Sequence, residues 1–124
     1  MPPRRVVLVV DDEAITRDVV EAMLELEDVE VHTAADGATA LAAAERIRPD
    51  LVLLDVMMRG ESGIDVCRRL TATVHPPRVV MLTGRADEAA RNAAAEAGAA
   101  AYLVKPFSAV DLFRVVDEEP ARGA

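Results

Sequence analysis

The chain has 124 residues, the size of one ordinary domain and too few for two. A formal net charge of −8 argues against direct contact with nucleic acid or an anionic membrane, which need clustered Lys and Arg, and aromatics at 2 % leave few platforms for base stacking. A single cysteine, Cys67, cannot close an internal disulfide, and with no basic-then-apolar leader or long apolar span a reducing, cytoplasmic location is expected.

The first apolar run, RVVLVV at positions 5–10, is short and β-branched, as strands buried on both faces should be, and it ends at Asp11 and Asp12. From Ala14 to Leu26, the residues Ile15, Val19, Met23 and Leu26 recur at helical spacing and are predicted to be the apolar face of a first helix. A second strand, VEVHTA, follows Asp28. Asp36 before Gly37 suits the N-cap of an Ala-rich helix that runs to Ile47 and includes Leu41. The third run, DLVLLD, ends at Asp55. Beyond it, Ser62 with Asp65 has the Ser/Thr-x-x-Asp/Glu pattern in which each side chain satisfies a free helix N–H, and the helix is predicted to bury Ile64, Cys67 and Leu70.

The fourth run, RVVMLT, ends at Thr83. DEAARNAAAEA, from Asp87 to Ala97, has strong helix propensity and is closed by Gly98 as a C′ residue. It can bury only Ala methyls, and since burial is worth roughly 0.8 kcal/mol per CH2, it should dock weakly and be the element readiest to move. The fifth run, AYLVK, ends at Lys105. Ser108 with Asp111 repeats the helix-start pattern, and the last helix is predicted to bury Val110, Phe113 and Val116. MPPRR and DEEPARGA read as tails, and DEEPARGA equally as the start of a linker in a longer protein.

Five β-α steps call for an α/β fold, a parallel sheet wound on both faces by helices with right-handed crossovers. In such a sheet ligands bind outside the carboxyl ends of the strands. The residues that end the runs are Asp11, Asp12, Asp55, Thr83 and Lys105, so three carboxylates, one hydroxyl and one ammonium share an edge. Mutual repulsion of the carboxylates asks for a cation, and a hard ion that accepts oxygen ligands and keeps some waters, such as Mg2+, fits best. A carboxylate beside such a metal can attack a phosphoryl group while an ammonium and a hydroxyl serve its oxygens.

VVDDE with Asp11 and Asp12, LVLLDVMM with Asp55, VVMLTG with Thr83 and YLVKPF with Lys105 and Pro106 resemble, in order and spacing over nearly the whole chain, the receiver domain of bacterial two-component response regulators. The resemblance implies a flavodoxin-like receiver fold, a doubly wound five-stranded parallel sheet of order 2-1-3-4-5 with five helices. It implies one receiver domain over residues 1–124, with a core of about 5–117. By the same resemblance Asp55 is the phosphoacceptor, served by the phosphohistidine of a sensor histidine kinase or a phosphotransfer protein. Mg2+ is held by Asp11, Asp12, Asp55 and the backbone carbonyl of Met57. Thr83 is the switch hydroxyl, Tyr102 the aromatic that turns inward with it, Lys105 the contact to phosphoryl oxygens, and the Lys105–Pro106 peptide is cis. Such a protein is a phosphoacceptor that assists its own phosphorylation and dephosphorylation, not a turnover enzyme, and it controls a downstream target or output domain.

Singly, each residue has an ordinary reading: Asp11 and Asp12 as helix caps, Asp55 as a turn residue, Thr83 as a strand exit, Lys105 as a solvated end. Their convergence on one edge is what those readings leave unexplained. A Mg2+-dependent aspartyl-phosphate phosphatase would carry Asp-x-Asp at its first strand, whereas Asp55-Val56-Met57 comes third and lacks the second acid. A receiver that binds partners without phosphorylation would not need the intact set. The family usually has Pro where this chain has Arg59; a solvated loop residue and, with Arg85, a modifier of access to the phosphoryl group are the two readings. Before the last strand stand Ala99 to Ala101, and the last helix carries only Arg114, so a monomer or weak dimer is expected.

Overall fold

The structure is a computed structural model, and it describes residues 4–85 and 87–117. Residues 1–3 and 118–124, the bulk of the two expected tails, lie outside the described residues. The elements in chain order are β1 (Arg5–Val10), α1 (Ala14–Leu24), β2 (Val29–Ala34), α2 (Gly37–Ile47), β3 (Leu51–Asp55), the two-residue strands β4 (Met57–Met58) and β5 (Glu61–Ser62), α3 (Gly63–Thr71), β6 (Arg78–Thr83), α4 (Glu88–Glu96), β7 (Ala101–Val104) and α5 (Ala109–Asp117).

The main sheet is parallel throughout, in the order β2-β1-β3-β6-β7, while β4 and β5 form a separate antiparallel pair. With that hairpin set aside, the five long strands follow the order 2-1-3-4-5. Strand side chains alternate between two cores, as the two-residue period of a strand requires. Leu8, Val10, Val52, Leu54, Val79 and Met81 face one way and pack with α2, α3 and α4. Val7, Val9, Leu51, Leu53, Val80 and Leu82 face the other, against Val20 and Leu24 of α1 and Leu112, Val115 and Val116 of α5. Among the described residues, only β1, β3 and β6 are buried on both faces; β2 and β7 are the sheet's edges and stay half-open, against the expectation that every run would be enclosed.

Two helices turn inward a stripe that only partly matches the one the apolar spacing predicts. In α1, Ile15 is 78 % exposed and Val19 is exposed, as is Leu26 just past the helix end; Met23 is half-buried against the core as predicted, and the buried residues are Val20 and Leu24. Apolar residues occupy two adjacent stripes here, and the one nearer Val7 and Val9 wins. In α5, Val116 is buried as predicted, but Val110 is exposed and Phe113 half-buried, and Leu112 and Val115 fill the rest of the core. Both helices sit on the same face of the sheet. The α3 stripe is closer to the prediction: Val66, Cys67 and Leu70 are buried and Ile64 is half-buried. Burial pushes the Cys67 thiol up to about 11, as befits a packing residue.

Asp36 caps α2 by accepting from the Thr39 N–H at 2.7 Å. The Ser108–Asp111 pair is reciprocal, at 3.3 and 3.1 Å. The Ser62–Asp65 pair is not: Ser62 Oγ accepts from the Ile64 N–H, but Asp65 turns outward to Arg68. Helix α4 ends as predicted, with Gly98 at φ +97°, its N–H donating to Ala95 O and the Ala99 N–H to Ala94 O, the paired bonds of a Schellman close. The apolar burial of α4 is confined to Ala94, with Ala97 just past its end. The α3 side chains also hold that end: Thr71 Oγ1 lies 3.0 Å and Cys67 Sγ 3.4 Å from the Ala97 carbonyl oxygen.

Candidate functional site

Strands β1, β3 and β6 end at the same edge, and their last residues carry the polar groups into it. Asp11 directly follows β1, Asp55 ends β3 and Thr83 ends β6; all three are buried, in a molecule whose other described buried residues are apolar or glycine, apart from Pro49 and Pro77. Asp12 stands beside Asp11 at the rim. One carboxylate oxygen from each of Asp11, Asp12 and Asp55 can be chosen so that all three lie within 4.8 Å of one another. From the far side of the cluster Lys105, just past β7, brings its ammonium to 3.1 Å from Asp11 Oδ2 and 3.2 Å from Asp55 Oδ1. The Lys105 N–H donates to Thr83 O at 2.7 Å, which ties that loop to the end of β6, and the Lys105–Pro106 peptide is cis.

The electrostatics of the cluster are unbalanced. Burial and then the negative charge of Asp11 push the Asp55 carboxyl up from the ordinary value, and Lys105 only partly counters them. Burial pulls the Lys105 ammonium down, yet its bond to Asp11 and the charge of Asp55 outweigh that and leave it raised. One ammonium serves two buried carboxylates, with a third beside them. Three oxygen donors of like charge, close together and under-neutralised, fit a hard divalent cation such as Mg2+, which takes carboxylate and water ligands. Asp12, the most open of the three, is held below the usual carboxylate range by the Arg59 main-chain N–H and, secondarily, the Arg59 charge.

Thr83 Oγ1 accepts the Arg85 N–H at 3.0 Å, which leaves the hydroxyl proton to give. Tyr102 is half-buried on β7 with the Arg91 guanidinium 5.1 Å from its ring centroid. Between Thr83 and Tyr102 lies a pocket of about 210 Å³, bounded by Val56, Met81 and the Ala89, Ala90 and Ala93 face of α4. The Met57 side chain is exposed, while its N–H reaches Asp55 Oδ1 at 3.3 Å.

The loop after Asp55 contains contacts that the sequence reading missed. Arg59, on the turn between β4 and β5, gives its N–H to Asp12 Oδ2 at 2.7 Å. Glu61 accepts the N–H of Gly37, the first residue of α2, at 2.9 Å. Gly63 opens α3 so close to β3 that a Cβ there would come within 2.0 Å of the Asp55 carbonyl oxygen; only a glycine lets the helix start against the strand end. Arg85, joined to Arg59 in one of that residue's two readings, pairs with Asp87, the N-cap of α4, at 2.6 Å.

The sequence matches the family described as response regulator receiver domain over residues 7–117. It is 41 % identical to the DNA-binding response regulator MtrA of Mycolicibacterium paratuberculosis, over 95 % of this chain and 55 % of that protein. It is 43 % identical to the transcriptional regulatory protein ResD of Bacillus subtilis, over 82 % of this chain and 42 % of that one. The chain thus spans about half the length of the curated relatives it matches. Among solved structures, the chemotaxis protein CheY4 of Vibrio cholerae superposes with a TM-score of 0.90 at 30 % identity, covering 95 % of this chain and 100 % of that chain.

Proposed function

Since the chain belongs to the response regulator receiver domain family and so to two-component signalling, we propose that Asp55 is its phosphoacceptor, working with Mg2+ held by Asp11, Asp12, Asp55 and the Met57 carbonyl. The observation that carries this reading is the Lys105 ammonium reaching both Asp11 and Asp55 where β1 and β3 end. The hydrogen bonds to the Asp55 carboxylate among the described residues, from Met57 and Lys105, both go to Oδ1, so Oδ2 is the oxygen left to attack. In the proposed step an Asp55 O–P bond forms as the P–N bond of a kinase or phosphotransfer-protein phosphohistidine breaks, and the released imidazole keeps the electron pair and takes a proton. Mg2+, when bound, supplies charge neutralisation to the transferring oxygens. Lys105 contributes a second positive charge there, and Thr83 donates its free hydroxyl proton to a phosphoryl oxygen.

That donation draws Thr83 toward the new group, and Tyr102 turns into the pocket beside it. The Ala-rich α4 wall of that pocket then shifts, which converts chemistry at Asp55 into a change of surface. In this reading the unit that receives the phosphoryl group runs from about residue 5 to 117, is cytoplasmic, acts as a monomer or weak dimer, and is not a turnover enzyme. Among the described residues no helix is long and apolar enough to cross a membrane. DNA binding, named for the mycobacterial relatives, is assigned in this reading to the half of those proteins that this acidic chain does not match.

Incubation with acetyl phosphate and Mg2+ followed by intact mass measurement tests the assignment. One phosphate should add to the wild type and none to Asp55→Asn. Steady hydrolysis of added phosphoesters would instead make the protein a phosphatase.

A further inference from the structure

Arg59 does two things to a single oxygen of Asp12. Its main-chain N–H donates to Oδ2 at 2.7 Å, and its Nε lies 3.5 Å from the same atom. The first contact orients the carboxylate. The second places a positive charge, on a side chain 88 % exposed, at the outer rim of the acidic cluster. The hairpin that carries Arg59 is fastened: Glu61 holds the start of α2 through the Gly37 N–H, and Gly60 at φ +77° makes the turn. Arg59 is therefore presented to Asp12 by the fold.

Each carboxylate of the cluster already has a cation. Lys105 serves Asp11 and Asp55, and Arg59 serves Asp12, the most open of the three and the one an arriving ion would meet at the rim. A metal that binds there must share Asp12 with a guanidinium or displace it, and it does so against a like charge a few ångströms away. The main-chain bond is not in competition, because it can stay on Oδ2 while Oδ1 turns to the metal. Only the side chain opposes binding.

We infer that Arg59 is a built-in cation that competes with the divalent metal for Asp12 and thereby sets the metal affinity of the site. This rests on the reading of Asp11, Asp12 and Asp55 as the Mg2+ site. The guanidinium is exposed, so its effect is modest and screened by salt. Because salt screens the repulsion by Arg59 as well as the attraction of the carboxylates, the guanidinium also makes the affinity fall less steeply with ionic strength than it would with three carboxylates and Lys105 by themselves.

The test is titration of Mg2+ into the phosphate-free protein by calorimetry, for the wild type, Arg59→Gln, Arg59→Lys and Asp12→Ala. Arg59→Gln keeps the main-chain N–H and removes only the charge, and its melting temperature in EDTA reports whether it is folded. It should bind Mg2+ about two- to fivefold more tightly than the wild type, with the gap closing near 1 M monovalent salt. Arg59→Lys should bind as the wild type does. Equal or weaker binding by Arg59→Gln, or a gap that persists at high salt, overturns the inference while the site itself stands. Binding that survives Asp12→Ala, or that is absent from both wild type and Arg59→Gln, overturns the Mg2+ site and the inference together.

Discussion

Asp55 is a carboxylate placed where its charge is least comfortable: buried, beside Asp11, and only partly relieved by Lys105. Its folded-state proton affinity is raised, so ionising it costs more in the folded chain than in the unfolded one. That penalty is absent when the pH lies below the ordinary carboxylate value and is fully developed once the pH has risen through the raised folded value. In EDTA at neutral pH, Asp55→Asn should therefore melt a few degrees higher than the wild type, about 1 kcal/mol in a domain of this size. The gap should shrink as the pH falls through the carboxylate range. An equal or lower melting temperature for the variant at neutral pH would mean that Lys105 already compensates the charge. Asp11, Asp12, Asp55, Thr83 and Lys105 were legible in the sequence because each ends an apolar run, and the end of a parallel strand has a known address. The partners of Arg59 and Glu61 were not legible. They lie 47 and 24 residues away in sequence, and they meet through strands of two residues that leave no periodic signal.

At the scale of elements, helical spacing yielded α1 and α5 but set the inward face partly askew, placing Met23 and Val116 rightly and Ile15, Val19 and Val110 wrongly. Val19 and Met23 stand one position before Val20 and Leu24, so the 3.6-residue period fits both stripes of α1, and the choice depends on the partner surface. The face assignment predicts unequal mutational costs within one helix. Leu24→Ala should cost about 2–5 kcal/mol by chemical denaturation, the toll of emptying a packed site, whereas Ile15→Ala should stay within about 0.5 kcal/mol. Similar losses at the two positions would return Ile15 to the core. The caps were easier to read than the faces because a cap is a local bond: Asp36, Ser108 with Asp111, and Gly98 all act within four residues of their partners.

For the whole molecule, the two cores divide the labour. The α1 and α5 face is filled by large aliphatic side chains from strands and helices alike, whereas α4 meets the opposite face with small ones. Five β-α steps announced a doubly wound sheet, but no pattern within a strand states its neighbours, so the 2-1-3-4-5 order was available only through the family resemblance. The two ends of α4 are held unequally: Thr71 and Cys67 of α3 reach the Ala97 carbonyl beneath a Gly98 turn, while the Asp87 end has an exposed pair with Arg85, whose own N–H is bonded to Thr83 Oγ1. In the switch proposed for Thr83, a rod fixed at one end and tethered to that residue at the other would act as a lever, with its fulcrum at Gly98. A small pull on the Thr83 hydroxyl is then expressed as angular travel at the Asp87 tip. Hydrogen exchange should show this as a gradient, with amides of residues 91–93 more altered by phosphorylation than those of residues 97–99. A uniform change along the helix would describe a sliding element instead of a pivoting one, and it would move the output of the domain from the tip of α4 to its whole length.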